Sequence, residues 1–191
     1  MYGKIDARTL RIDPRERCAR LGVATDSECR GEAECLEALL SAADIAFCAT
    51  RVAVSIADGG ASLGEIYVQS DALARVLSGC SYAYLLVATL GFGVDRINMC
   101  RGSAYSEFLA DALADCLIEA AADEACLRLG CKEILTNRFS PGYSDLDLEV
   151  GKDIVSTTGA DKLLGVRFTE SGLMVPKKTV SAVVGIKGEM K

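Results

Sequence analysis

The chain has 191 residues and half of them are hydrophobic, which predicts a single globular domain over residues 1–191. Its formal net charge of −6 argues against a nucleic-acid-binding protein, because phosphate contacts need clustered lysine and arginine. Histidine is absent, which removes the commonest general base and the usual zinc-binding nitrogen, so we expect no catalytic acid–base residue and no metal site.

Nothing in the sequence predicts a membrane segment or a signal peptide. The longest apolar stretch, Tyr82 to Val94, is interrupted by a threonine and two glycines and is shorter than the roughly 20 residues that span a bilayer. The first residues, Met1 to Asp13, lack the apolar run of a signal peptide. The nine cysteines are scattered without a Cys-x-x-Cys pair, which is typical of reduced thiols in a cytosolic core. We therefore expect a soluble, cytoplasmic protein that contacts no membrane.

The first half of the chain predicts helices and strands in irregular alternation. Alternating apolar and polar residues indicate strands, apolar residues at helical spacing indicate helices, and glycines between two strand patterns indicate a hairpin turn. The predicted elements are a strand over Lys4 to Ile12, a helix from Asp13-Pro14, a helix over Glu28 to Ala46, a hairpin of Arg51 to Ala57 and Glu65 to Val68 around Asp58-Gly59-Gly60, a helix from Ser70-Asp71 to near Gly79, and a buried strand over Tyr82 to Thr89.

The longest predicted element is a helix from Val94 to Leu129 that ends at Gly130. Its apolar stripe consists of Phe108, Leu109, Ala112, Leu113, Cys116, Leu117 and Ala120. A row of carboxylates follows the same helix at intervals of four residues, namely Glu107, Asp111, Asp115, Glu119 and Asp123. Like charges at this spacing destabilise a helix by roughly 0.2–0.5 kcal/mol per pair. Either the row is a solvated helix face, or one or two of its acids have a partner.

After the long helix, the sequence predicts one short helix and several closing strands. They are a strand over Lys132 to Phe139, a helix over Leu148 to Ser156, and strands over Val166 to Phe168, Leu173 to Val175 and Thr179 to Lys187. Because helices and hairpins alternate irregularly, we expect an α+β fold with a mostly antiparallel sheet rather than a doubly wound parallel sheet.

The segment from Arg138 to Tyr143 carries the clearest indication of a binding site. Pro141 and Gly142 predict a tight turn with the glycine at the position of positive φ, and such a turn leaves backbone groups open to a ligand. Arg138 offers a guanidinium fork for a carboxylate, and Tyr143 offers an aromatic face. Taken singly, Arg138 could equally be a surface ion-pair residue and Tyr143 a half-buried edge of the core. Together they favour a small zwitterionic ligand.

The pattern Arg138-x-x-x-Gly142-Tyr143 resembles the signature of the activation domain of cobalamin-dependent methionine synthase, which binds S-adenosylmethionine. Three further stretches are similar to parts of that family. The range Ala112 to Ala120 is similar to the family's long helix, and Thr169 to Pro176 with Val180-Ser181 is similar to its Glu-Ser-x-x-Met-x-Pro segment. The range Ala88 to Arg96 is similar to a segment of small stand-alone relatives. The resemblance is strongest over residues 82–187. It implies an α+β fold like that of the activation domain.

The resemblance also implies a reaction and its participants. Cobalamin carried by a partner protein and oxidised to cobalt(II) would take one electron from an external donor such as a flavodoxin or ferredoxin. The resulting cobalt(I) would then accept the methyl group of S-adenosylmethionine. The metal is the nucleophile, which agrees with the absence of histidine. The partner would be a cobalamin-binding methionine synthase or another corrinoid protein, and this chain would position the methyl donor.

The resemblance implies a ligand-binding set made of Glu119, Arg138, Ser140, Gly142 and Tyr143. Arg138 would pair with the carboxylate of S-adenosylmethionine, and Glu119 with its ammonium. Backbone groups of Ser140 and Gly142 would bind the edge of the ligand. Tyr143 would lie near the methyl-transfer face, where an aromatic ring can also steady a sulfonium. Glu119 by itself could also be a solvated helix residue.

The chain departs from the family pattern beyond Tyr143. In the complete methionine synthase, a Cys-Pro-x-His run follows the Gly-Tyr pair, whereas this chain has Ser144 to Glu149 at that place. The sequence also has no Asp-x-His-x-x-Gly corrinoid-ligating motif. We therefore expect an activation domain that acts in trans, or a relative that serves another corrinoid protein. If the chain is either of these, it is a methyltransferase-type enzyme that acts with a partner protein. Two other classes stay open, a ligand-binding or regulatory relative without methyl transfer and a purely structural interaction protein.

Overall fold

The computed structural model describes residues 1–24, 29–97 and 103–189. Its strands are β1 (Tyr2–Lys4), β2 (Ala46–Ala57), β3 (Gly60–Leu63), β4 (Ile66–Gln69), β5 (Tyr82–Thr89), β6 (Glu133–Leu135), β7 (Arg167–Phe168), β8 (Met174–Val175) and β9 (Thr179–Glu189). Its α-helices are α1 (Pro14–Leu21), α2 (Glu32–Ala42), α3 (Asp71–Val76), α4 (Phe92–Asp95), α5 (Ala104–Leu129), α6 (Val150–Thr158) and α7 (Ala160–Leu163), and Ala7–Thr9 forms a 3₁₀ turn.

Within these described ranges, seven strands form one sheet in the order β4-β3-β2-β5-β9-β6, with β1 added beside the first residues of β2. Strands β7 and β8 form a separate small hairpin. All of these described strand pairs are antiparallel. The predicted α+β fold with a mostly antiparallel sheet is therefore confirmed.

Strand β5 lies in the middle of the sheet because both of its faces are apolar. Leu85 and Val87 face one side of the sheet, Leu86 and Ala88 face the other, and all four are fully buried. A strand that is buried on both faces has a continuous apolar run in place of an alternating pattern. The run from Tyr82 to Thr89 therefore predicted this strand correctly.

Helices cover both faces of the sheet and create two separate cores. Helices α1, α2 and α5 pack over one face around Phe47, Leu86 and Leu113. Helices α3, α6 and α7 pack over the other face around Leu85 and Ile154. The sheet thus forms the middle of three layers, and its strands contribute side chains to both cores.

Several local signals act as the sequence predicted. Asp13 caps α1 with its side chain, and Pro14 occupies the first helical position. Asp58 and Gly59, with φ of 51° and 75°, form the two-residue turn between β2 and β3. Ser70 caps α3 through its hydroxyl, which accepts from the Leu73 N–H at 3.0 Å.

Two N-terminal predictions are wrong in extent. The strand predicted over Lys4 to Ile12 ends at Lys4, because Asp6 caps the 3₁₀ turn that follows. The helix predicted over Glu28 to Ala46 runs only from Glu32 to Ala42 in the structure, and residue 28 lies outside the described residues. Ala43 is extended there, because the chain must enter β2 and pair with β5.

The predicted hairpin is confirmed at its turn but not at its second strand. The strand that returns from the Asp58-Gly59 turn is β3, which was not predicted. Strand β4, close to the predicted Glu65 to Val68, pairs with β3 in a second hairpin. Four-residue strands carry too short a pattern to be separated by periodicity alone.

The single helix predicted over Val94 to Leu129 is wrong at its start. Helix α4 ends at Asp95, and α5 begins only at Ala104, where the Ser103 hydroxyl caps it. Residues 98–102 of the predicted helix lie outside the described residues. The end of the helix at Gly130 is confirmed.

The apolar stripe of α5 is mostly confirmed, because five of its members are buried against the sheet and the neighbouring helices. Phe108 is an exception with 49% exposure, and Ala120 is only half-buried. The described cysteines are free thiols and most of them are buried, as expected of core-filling residues, and Cys100 lies outside the described residues.

The C-terminal elements follow the prediction with shifted ends. The strand predicted over Lys132 to Phe139 is reduced to β6, after which Phe139 forms one isolated bridge with Val183. The helix predicted over Leu148 to Ser156 is α6, shifted by two residues, and α7 was not predicted. The three closing strands are confirmed as β7, β8 and β9. Among the described residues, no helix is long and apolar enough to cross a membrane.

Candidate functional site

The predicted turn forms at Ser140 to Tyr143. The Tyr143 N–H donates to the Ser140 carbonyl oxygen at 3.2 Å, which closes a β-turn with Pro141 and Gly142 in the middle. Gly142 has φ of +90°, and a β-carbon there would lie 2.9 Å from the Leu148 Cδ2 atom. The turn therefore needs glycine both for its backbone angle and for the close approach of Leu148.

Asp145 fixes the loop that follows the turn by capping a helix far away in the sequence. Its carboxylate accepts from the Ser70 hydroxyl at 2.5 Å and from the Asp71 N–H at 2.8 Å, at the N-terminus of α3. These hydrogen bonds, the Ser70 hydroxyl first, lower the pKa of Asp145 below its ordinary value. The loop between Tyr143 and α6 is thus tied to the second helical layer.

Arg138 holds two carboxylates of the acidic row on α5. Its Nη2 atom donates to Glu119 Oε2 at 2.6 Å, and its Nη1 atom donates to Asp123 Oδ1. The Arg138 side chain is 18% exposed, against 27% for Glu119 and 71% for Asp123. Burial would lower the pKa of Arg138, but the charge of Asp123 and its other neighbours outweighs it and raises that pKa. The guanidinium is therefore held in its charged form.

Other cations pair with the rest of the same acidic row. Lys178, whose side chain is 14% exposed, donates through Nζ to Asp115 Oδ1 at 2.7 Å and makes an ion pair with Asp111 at 2.7 Å. Arg20 of α1 pairs with the second oxygen of Asp115 at 3.3 Å. The expectation that one or two acids have partners was too low, since Arg138, Lys178 and Arg20 together engage four of the five.

A cavity of about 660 Å³ opens beside these ion pairs, and we call it the Arg138 cavity. Helix α5 contributes Glu119 and Asp123 to its lining, and the segment that contains the turn contributes Arg138, Ser140 and Tyr143. Its volume is within the range of about 300–1,000 Å³ that is common for small-molecule sites. Four of the five predicted site residues therefore lie at one cavity.

Gly142 has a different position from the other four. The described residues that line the Arg138 cavity include both of its neighbours but not Gly142 itself. Its N–H donates to the Leu146 carbonyl oxygen at 2.8 Å, and the Ser140 carbonyl already accepts from the Tyr143 N–H. In the structure these two backbone groups stabilise the loop, and their contact with a ligand stays a prediction.

The apolar part of the lining was not predicted as part of the site. It includes Phe168 and Met174 from the β7–β8 hairpin, together with Leu148 and Leu173. Leu148 and Leu173 are exposed, and so is Tyr143, so the cavity has an apolar rim. Met174 belongs to the segment that resembles the family, but only the folded chain brings that hairpin beside Arg138.

Asp123 is a charged residue of the cavity lining that was not predicted as part of the site. It stands one helical turn after Glu119 in the acidic row, so its spacing was the available signal.

Burial raises the pKa of the neighbouring Cys126 thiol, which also lines the cavity and is thereby kept neutral. Among the described residues, no group of three histidine, cysteine or acidic side chains is placed to hold a metal ion.

Comparisons with known proteins identify the fold. No protein-family model matches the chain, and no curated protein matches its sequence. Among solved structures, the chain is similar to the MetH reactivation domain bound to AdoHcy, with a TM-score of 0.71 and 15% sequence identity. The similarity covers 100% of this chain and 79% of that one. The chain therefore has the fold of the MetH reactivation domain, which confirms the fold that the sequence resemblance implied.

Proposed function

We propose that the chain binds S-adenosylmethionine in the Arg138 cavity and supports the reductive methylation of a corrinoid carried by a partner protein. The main observation in support is the grouping of one guanidinium and two carboxylates at a cavity of suitable volume. The similar MetH reactivation domain was solved with AdoHcy bound, which supports the same class of ligand here.

The charges at the cavity complement the amino-acid end of the ligand. Arg138 would receive its carboxylate and Glu119 its ammonium, although these two side chains now pair with each other at 2.6 Å. A zwitterion that enters between them offers each side chain a new partner of the correct sign. Both half-buried charges then keep a partner. This matters because a buried charge without a partner is costly in free energy.

The rim of the cavity supports contact with a large flat partner. Tyr143, Leu148 and Leu173 are exposed at its edge, and apolar side chains grouped at a cavity commonly mark a contact surface. A corrinoid held by its own protein supplies a nucleophilic cobalt centre when it is reduced. The task of this chain would be to hold the methyl donor with its sulfonium turned towards that rim.

The partner and its setting are also part of the proposal. The corrinoid protein would be a methionine synthase without its own activation domain or a member of another corrinoid methyltransferase system. An external flavodoxin or ferredoxin would supply the electron, and the reaction would take place in the cytoplasm. The absence of histidine from the chain is consistent with chemistry in which no side chain removes a proton.

Calorimetric titration of the full chain with S-adenosylmethionine and S-adenosylhomocysteine tests the binding step. Saturable heat with one site per chain is expected for both, and free methionine should bind much more weakly because it lacks the adenosyl group. No heat with either adenosyl ligand would contradict the proposal and leave a purely structural role. Methyl transfer is then tested by adding a corrinoid protein with a low-potential reductant and following the cobalt spectrum.

A second candidate function is ligand binding without methyl transfer. The observation in its favour is the loop from Ser144 to Glu149, whose sequence departs from the family pattern and whose Asp145 is used to hold α3. Such a regulatory relative would show the same calorimetric binding. It would leave the cobalt spectrum unchanged with every corrinoid protein tried.

A further inference from the structure

We infer that Asp123 makes the Arg138 cavity selective for the positively charged methyl donor over its neutral product. The inference rests on the proposed function and adds a specificity-determining residue to it. Asp123 and Glu119 together carry two negative charges, and Arg138 supplies one positive charge against them. The group as a whole therefore has one negative charge in excess.

The two ligands differ at the atom to which this excess charge matters. S-adenosylmethionine carries a sulfonium, an ammonium and a carboxylate, so its net charge is positive by one unit. S-adenosylhomocysteine has a neutral thioether in place of the sulfonium and is otherwise the same molecule. An anion at the cavity wall therefore attracts the donor more strongly than the product. The change in the ratio of the two affinities on replacement of Asp123 isolates this effect, because contacts to the shared groups and to the transferred methyl group cancel between wild type and variant.

Asp123 is better suited to this role than Glu119 because of its exposure. Glu119 is 27% exposed and would stay paired with the ligand ammonium, whereas Asp123 is 71% exposed and can leave Arg138 at little cost. A ligand carboxylate that binds both Nη atoms of the guanidinium displaces Asp123 as well as Glu119, and Asp123 then becomes an uncompensated anion in the cavity lining. Its negative charge then lies at the wall of the cavity that would hold the sulfonium, which is a few bonds from that carboxylate.

The same helix offers a matched control at Asp111. It belongs to the same acidic row, it is also 71% exposed, and it also pairs with a largely buried cation, Lys178. Asp111 precedes Asp123 by twelve residues, which is roughly 18 Å along an α-helix. That separation exceeds the Debye length of about 10 Å at 0.1 M salt, so its charge is screened from the cavity.

The test is calorimetric titration of wild type, Asp123→Asn and Asp111→Asn with both ligands at about 0.1 M salt. The preference for S-adenosylmethionine should fall about two- to fivefold in Asp123→Asn, the range expected for an exposed charge pair. It should not change in Asp111→Asn. Raising the salt concentration should reduce the preference in wild type more than in Asp123→Asn.

Each alternative result has a definite meaning. Binding of both ligands to Asp123→Asn with the wild-type preference would overturn the inference and leave the proposed function intact. An equal loss of preference in Asp111→Asn would also overturn it, because the effect would then belong to the whole acidic row. If wild type binds neither ligand, the proposed function fails, and the inference fails with it.

Discussion

The Arg138 side chain pairs with both carboxylates found in the described lining of the Arg138 cavity. Its guanidinium is mostly buried, with Glu119 on its Nη2 atom and Asp123 on its Nη1 atom. Planar guanidinium groups bind carboxylates through two parallel hydrogen bonds, a geometry that lysine cannot reproduce. A ligand carboxylate therefore meets a fork that is already in place, and little rotamer freedom remains to be lost on binding.

Replacement of this arginine should weaken ligand binding strongly. We expect Arg138→Ala to raise the dissociation constant for S-adenosylmethionine about tenfold or more, since a charge-assisted hydrogen bond contributes about 1.5–3 kcal/mol. Calorimetry measures the affinity, and thermal unfolding confirms that the variant is folded. Arg128→Ala is the control, because Arg128 lies on α5, the helix of Glu119 and Asp123, and pairs with Glu124, outside the described lining of the cavity. Equal affinities of wild type and Arg138→Ala would remove Arg138 from the site.

At the scale of elements, the loop after the turn depends on a charge that is sensitive to pH. The pKa of Asp145 is lowered in the folded protein, so its carboxylate stabilises the fold above the unfolded-state pKa of about 3.9. This contribution is lost as the pH falls through the lower, folded-state pKa. The loop should therefore loosen only under acidic conditions.

The variant Asp145→Asn measures this contribution. Its melting temperature should lie below that of wild type at pH 7, and the gap should narrow as the pH falls below about 3.9 and through the folded-state pKa of Asp145. Thermal unfolding followed by circular dichroism at several pH values gives the comparison. Glu170→Gln, an exposed change in the β7–β8 turn, should melt like wild type throughout. A gap for Asp145→Asn that does not narrow as the pH is lowered below about 3.9 would show that the charge is unimportant.

Lys178 joins the start of β9 to α5, and its loss should destabilise the protein. Its ammonium forms ion pairs with Asp111 and Asp115 and is largely buried. We therefore expect Lys178→Ala to lower the free energy of unfolding by about 1–3 kcal/mol. Urea denaturation measures the change. Lys4→Ala is the control, since the Lys4 and Asp44 side chains are both exposed and such pairs contribute little. Equal stability of Lys178→Ala and wild type would contradict the prediction.

Sequence patterns located elements better than they located their ends. The buried run of β5 and the caps of α1 and α3 are local signals, so they were predicted correctly. The end of α2 near Ala43 is decided by strand pairing with β5, which no local pattern contains. Asp145 is the clearest example at the site, because its partner Asp71 lies 74 residues earlier. Its loop departs from the family pattern, but no local pattern in the sequence indicates what holds that loop.

At the scale of the whole molecule, the candidate site was predictable where its residues share one segment. Arg138, Ser140 and Tyr143 are close in sequence, and the resemblance added Glu119. Leu148 and Phe168 join the cavity only through tertiary packing, so spacing could not indicate them. The charge pairs of α5 were foreseen as a possibility because like charges repel, but their partners come from three distant segments.

The core beneath α5 should dominate the stability of the whole chain. Leu113 is fully buried in the first core, and we expect Leu113→Ala to cost about 2–5 kcal/mol of unfolding free energy. Leu127→Ala on the exposed face of the same helix should change it by less than about 0.5 kcal/mol. Urea denaturation compares the two variants. Similar losses for both would mean that the packing of α5 on the sheet is not the main source of stability.

The position of the Arg138 cavity relative to the three layers has a consequence for how the molecule would respond to its ligand. Glu119 and Cys126 reach the cavity from one helical layer, Gly151 and Met174 reach it from the other, and Val180 comes from the strand between them. An occupant that fills the cavity would touch all three layers together. Its binding energy would then oppose separation of the two cores, and saturation would raise the resistance of the entire chain to heat as well as that of the loop around it.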